Sequence, residues 1–107
     1  MLRNVMSTII VKYELQTSEN KMLMDESIIR IHTYSKILKV GRDPSGVLCI
    51  WASADIFQPK IETCIRIVGT GQETPPKDDW TYLDSVVCGV FVWHVFIERQ
   101  IPQMVFI

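Results

Sequence analysis

The feature that most constrains this chain is the return of apolar residues at every second position. A strand turns successive side chains to opposite faces, whereas a helix gathers residues three and four apart onto one face. Ile9, Val11, Tyr13 and Leu15 alternate with Thr8, Ile10, Lys12 and Glu14; Ile61, Thr63, Ile65 and Ile67 alternate with Glu62, Cys64, Arg66 and Val68. Both patterns predict half-buried strands, over residues 8–15 and 61–68. A third strand is expected over 28–33, with Ile29 and Ile31 on one face and Ile28, Arg30 and His32 on the other. Asp25-Glu26-Ser27 could start a helix over 27–38, but Ile28, Ile29, Ile31 and Thr33 are β-branched and favour strand.

Turn chemistry divides the rest. Gly41-Arg42-Asp43-Pro44-Ser45-Gly46 separates two apolar runs, 36–40 and 47–54, and predicts that they form an antiparallel hairpin with a longer loop. Pro59 argues against a central strand over 57–60. Residues 16–21 read as a polar connection, followed by Met22-Leu23-Met24. Gly69-Thr70-Gly71 ends the 61–68 strand, and 72–80, with Pro75 and Pro76, is the longest expected loop. Residues 82–88 and 90–98 form a last strand pair around Gly89. About seven strands result, without internal repeat or linker. The expected fold is all-β or nearly so: a small antiparallel β-sandwich or half-open barrel.

Length and composition narrow the class. With 107 residues the chain is expected to form a single domain, with a core over 8–98 and an apolar tail over 99–107. It is 48% hydrophobic and 21% charged, which excludes an intrinsically disordered chain. Eleven Lys and Arg against twelve Asp and Glu leave a net charge of -1, so no footprint for nucleic acid or an anionic membrane follows. No apolar stretch approaches the roughly 18 residues of a membrane span, and none of signal-peptide length precedes Lys12. Met6 offers an alternative start. Cys49, Cys64 and Cys88 are odd in number and lack Cys-x-x-Cys spacing, which predicts free thiols in a reducing cytoplasm.

Residues 90–98 are apolar on both faces: Phe91, Trp93, Val95 and Ile97 on one, Val90, Val92, His94 and Phe96 on the other. Such a strand is expected to be covered on both sides. The tail Ile101-Pro102-Gln103-Met104-Val105-Phe106-Ile107 is also apolar. Strand and tail together predict a symmetric homo-oligomer.

Candidate chemistry is sparse. His94 reads as a buried histidine bonded to backbone; the alternative is a ligand contact beside Trp93 or Phe96. Neither His32 nor His94 sits in a metal-ligand pattern. Cys64 or Cys88 with His94 would make a nucleophile and base, but no glycine turn lifts either thiol into solvent. Gly69-Thr70-Gly71 lacks the following helix of a phosphate loop, and reads as a strand-ending turn or as a small anion-binding nest. Arg66, on the strand before it, either meets an anion bidentately or pairs with Glu62 or a cross-strand acid. Asp78-Asp79 reads as solvated loop charge, or, beside Trp80 and Tyr82, as a protein-contact surface.

The order of these segments carries a resemblance. Lys12-Tyr13 comes first, then Cys49-Ile50-Trp51-Ala52, Arg66-Ile67-Val68-Gly69-Thr70-Gly71, Trp80-Thr81-Tyr82-Leu83 and Val92-Trp93-His94-Val95-Phe96. Over residues 8–98 this order resembles a group of short uncharacterised proteins of bacteriophages and prophages. The Arg42–Gly46 turn and the extension beyond Gln100 depart from the group's pattern. The resemblance implies viral or prophage origin and no particular chemistry.

The expectation is therefore a non-enzymatic accessory protein, without cofactor or metal. It would bind a host factor and inhibit antiviral defence, by occluding a protein or by sequestering a nucleotide signal. Arg66, Gly69, Thr70, Gly71, Trp93 and His94 are the candidate ligand residues; Trp80, Tyr82, Met104 and Phe106 are the candidate protein contacts. A virion assembly component is the alternative. A small enzyme with a site between subunits, using His94 and Asp84, ranks below both.

Overall fold

The computed structural model describes residues 8–15 and 26–99. Among the described residues there is no helix, and seven strands form two antiparallel sheets: β1 (Thr8–Glu14), β2 (Glu26–His32), β3 (Lys36–Arg42), β4 (Leu48–Asp55), β5 (Lys60–Gly69), β6 (Trp80–Cys88) and β7 (Phe91–Glu98). One sheet has the order β1-β4-β3 and the other β2-β5-β7-β6. The architecture is a sandwich rather than a closed barrel, as the alternation predicts. Residues 16–25 lie outside the described residues, with the polar connection and Met22-Leu23-Met24. So does the tail from residue 100, with Met104 and Phe106.

Alternation decides what is buried. Tyr13, Leu15, Ile29, Ile31, Val40, Ile50, Ala52, Ile65, Ile67, Val86 and Val95 meet between the sheets, and Ile50, Ile65 and Val95 have no exposed surface. The β3–β4 hairpin forms where the Gly-Asp-Pro-Ser-Gly cluster predicts it. Asp43 organises its turn: Oδ1 accepts from Ser45 N–H (2.9 Å), Ser45 Oγ (2.7 Å) and Val47 N–H (3.0 Å). Lys12 Nζ reaches Asp43 Oδ2 at 2.8 Å and ties β1 to this turn. The ammonium and the donors around it hold the Asp43 carboxyl well below the usual carboxylate range.

A second tie joins the two sheets. Tyr13 Oη accepts the His32 backbone N–H at 3.1 Å and lies 2.7 Å from His32 Nδ1. The alternation places His32 opposite Ile31, yet both are buried, because the His32 ring is drawn to the Tyr13 hydroxyl.

Element ends depart slightly from expectation. Pairing extends β2 back to Glu26 and β6 back to Trp80. Val90 belongs to the turn rather than to β7: Gly89, at φ 62°, supplies the left-handed conformation of a tight hairpin, and Val90 is 91% exposed. The second face of β7 departs further. Trp93, Val95 and Ile97 pack inward, whereas Val92, His94 and Phe96 look away from the core and are half-buried. Among the described residues no third layer lies over them, and this uncovered face holds the candidate site.

Candidate functional site

The register of the four-stranded sheet builds the site. Across β5, β7 and β6, Val68 faces His94 and His94 faces Ser85; one row along, Arg66 faces Phe96 and Phe96 faces Tyr82. A bulge between Tyr82 and Asp84 is essential to this arrangement. Residues 82 and 85 differ by an odd number, so an unbroken strand would send them to opposite faces; the extra residue brings both to the outer face. The result is an open groove of about 370 Å³, lined by Val68, Gly69, Thr70, Tyr82, His94 and Phe96, with Gly71, Gln72, Thr74 and Ser85 completing it.

A continuous hydrogen-bonded chain runs through the groove. Thr70 Oγ1 lies 2.9 Å from His94 Nε2, Ser85 Oγ lies 2.7 Å from His94 Nδ1, and Tyr82 Oη lies 2.6 Å from Ser85 Oγ. Asp84 Oδ1 accepts the Ser85 backbone N–H at 2.8 Å and steadies the bulged segment. Tyr82 and Phe96 meet edge to face, with centroids 5.5 Å apart at 67°, and supply the apolar part of the lining.

The rim is the Gly69–Gln72 turn. Gln72 N–H closes it on the Gly69 carbonyl at 3.1 Å, and Gln72 Oε1 accepts the Gly69 N–H at 2.6 Å. Gly71 has φ 94°, which the third position of a type II turn demands and a side chain would oppose. The closing bond uses neither central amide, so the Thr70 and Gly71 N–H groups are not spent on the turn itself.

Of the residues expected to bind a ligand, the structure brings together Gly69, Thr70, Gly71 and His94. Arg66 shares their face but not the groove: its guanidinium lies over the Trp80 ring, 5.6 Å from the centroid, and its strand neighbour is Glu26. Trp93 lies on the opposite face, against the core and stacked on Phe91 at 5.7 Å. Alternation along β7 separates it from His94. Of the expected protein contacts, Tyr82 lines the groove and Trp80 lies half-buried under Arg66. Ser85 and Val68 are lining residues that the sequence reading did not single out, whereas Phe96 was named there beside a ligand contact of His94. Ser85 had a signal: counting outward from a two-residue turn at Gly89-Val90 places it opposite His94.

The cysteines lie apart from this chain. Burial, aided by a bond to Glu26 Oε1 at 3.3 Å and by the Glu26 and Glu98 charges, pushes the Cys64 thiol up to about 11. Burial also raises Cys49. His94 is bonded to hydroxyls through both ring nitrogens, and to neither Cys64 nor Cys88. Among the described residues no three His, Cys, Asp or Glu side chains are grouped to hold a metal ion. No helix among them is long and apolar enough to cross a membrane.

A family model described as a domain of unknown function, DUF7352, matches residues 6–104, and the chain belongs to that family. No curated protein and no solved structure matches it.

Proposed function

We propose that the chain is a binding protein of phage or prophage origin whose outer-face groove takes up a small nucleotide and withholds it from a host process. The observation that carries this reading is the convergence in one groove of a glycine turn, a hydroxyl–imidazole chain and an edge-to-face aromatic pair. Ligand sites combine apolar walls with a few fixed polar groups in this way. Stacking a base on an aromatic ring contributes about 1–3 kcal/mol, and the turn amides and Thr70 hydroxyl suit an anionic group. Binding without turnover is favoured by the ring's partners. Both His94 nitrogens meet hydroxyls, so no carboxylate orients the ring as a nucleophile–base pair requires.

A second reading, occlusion of a host protein, has its own support in the tip of the β6–β7 hairpin. Val87, Val90 and Phe91 stand 66%, 91% and 59% exposed there. Apolar side chains gathered at one tip are suited to a protein contact.

Native mass spectrometry of the protein purified gently from its host's cytoplasm tests both. A few hundred added daltons per site, lost on Thr70→Ala or Phe96→Ala, is the expected result. A bare mass, with no binding of a panel of nucleoside mono- and diphosphates in titration, refutes the nucleotide reading. A retained host polypeptide, lost on Phe91→Ser, turns the conclusion to occlusion.

A further inference from the structure

We infer that the groove binds a phosphoryl oxyanion together with a proton, and that His94 holds the proton. The inference rests on the nucleotide reading of the groove and identifies how its anionic end is recognised.

The argument is a count of protons along the Tyr82–Ser85–His94–Thr70 chain. Three links join the four groups, at 2.6, 2.7 and 2.9 Å. With a neutral ring the chain owns four protons: three hydroxyl and one imidazole. Three serve the links, which leaves one donor to spare. If Thr70 donates to Nε2, then Nδ1–H donates to Ser85 and Ser85 to Tyr82, and the spare O–H is on Tyr82. If the chain runs the other way, Tyr82 donates to Ser85, Ser85 to Nδ1 and Nε2–H to Thr70, and the spare O–H is on Thr70. A neutral chain therefore offers a ligand one end or the other, never both.

A second proton on the ring removes that restriction. Both ring nitrogens then donate, to Ser85 and Thr70, and Ser85 donates to Tyr82. The Thr70 and Tyr82 hydroxyls are both free to donate into the groove they line. The site then has two outward donors instead of one, and a positive charge between them. An anion with several acceptor oxygens accepts from both hydroxyls and is attracted by the charge behind them, and hydrogen bonds to an ionised acceptor are roughly twice as strong as neutral ones. An uncharged ligand gains no such advantage, so the phosphoryl group is what draws the proton in.

The charged groups around His94 are compatible with this. On β6, Asp84 carries its carboxylate beside Ser85, whose N–H it accepts. On β5, Val68 faces the ring, and Arg66, the next outward residue, keeps its guanidinium on Trp80. On β7 itself, Glu98 is engaged with the Cys64 N–H at 3.1 Å. In the loop, Gln72 is neutral and Glu73 follows it. The Asp84 carboxylate thus lies beside the ring's hydrogen-bond partner, and the Arg66 cation on this face is directed elsewhere.

Calorimetric titration in buffers of different ionisation enthalpy reads the proton directly. With adenosine monophosphate as probe, uptake of up to one proton per site is expected; adenosine binds more weakly and takes up none. His94→Gln keeps a hydrogen-bonding side chain but cannot charge. It should lower affinity for the monophosphate about tenfold or more and abolish proton uptake, and lower affinity for adenosine by a smaller factor. Tyr82→Phe, which keeps the ring on Phe96, should weaken the monophosphate yet retain the proton, so the inference stays testable if the His94 variant does not fold. Inorganic phosphate binding with proton uptake would mark the subsite as independent of the base. Monophosphate binding without proton uptake, or unaltered in His94→Gln, overturns the proton inference alone. No binding of monophosphate, adenosine or phosphate overturns the nucleotide reading with it.

Discussion

Replacing Tyr13 with Phe removes one oxygen from the seam between the sheets, and its cost can be worked from the hydrogen bonds. Tyr13 Oη accepts the His32 backbone N–H at 3.1 Å. It also lies 2.7 Å from His32 Nδ1, in a bond whose proton comes from one of the two. Ser35 Oγ, which donates to the His32 carbonyl at 2.7 Å, lies 3.3 Å away and can accept from Tyr13 Oη. Phe keeps the ring and its packing, and leaves a buried amide and a ring nitrogen without their partner. Each group so stranded costs about 1–3 kcal/mol, and His32 retains some freedom to turn, so a total near 2 kcal/mol is expected. At roughly 4 °C per kcal/mol for a domain of this length, Tm should fall by about 8 °C. Urea denaturation should show a lower midpoint with an unchanged slope, because the surface exposed on unfolding is the same. A loss below about 0.5 kcal/mol would refute the reasoning, since that is the scatter of neutral surface changes. Water or Ser35 would then be serving His32, and the hydroxyl would not be the joint between β1 and β2.

Two further outcomes follow from the titratable groups. Asp43 is held below the usual carboxylate range by Lys12, Ser45 and Val47, so the unfolded chain binds its proton more readily than the folded one. Stability from this turn is therefore present above about pH 4 and declines as pH falls further. Asp43→Asn should flatten the decline in urea midpoints between pH 5 and 3, and an unchanged slope would exclude the Asp43 cluster as its source. The Cys64 thiol, pushed up to about 11 by burial and by Glu26, should react with iodoacetamide at pH 8 at least about tenfold more slowly than free cysteine. Reaction at the free-cysteine rate would refute its burial beside Glu26.

What could be read in advance depended on how local the physics was. Alternation over Ile61–Val68 is set by each residue's own neighbours, and so is the turn that Asp43 organises; both appear in the structure as expected. The partnership of strands is not local. Nothing in residues 8–14 says that β1 pairs with β4, or that β2 pairs with β5 in the other sheet, because those pairings are decided by which apolar faces best bury one another. The site shows the same division within one hairpin. Positions 85 and 94 are equidistant from the Gly89-Val90 turn, so Ser85 opposite His94 follows from counting alone. Tyr82 does not follow: parity sends it inward until one extra residue enters the strand before Asp84. Alternation that was legible also argued against one expectation, since Trp93 and His94 are adjacent on a strand and cannot share a groove on one face. The groove thus combines residues placed by simple parity with one placed by a defect in it. The defect closes the Tyr82–Ser85–His94–Thr70 chain, and the chain gives this sheet face more than an apolar surface.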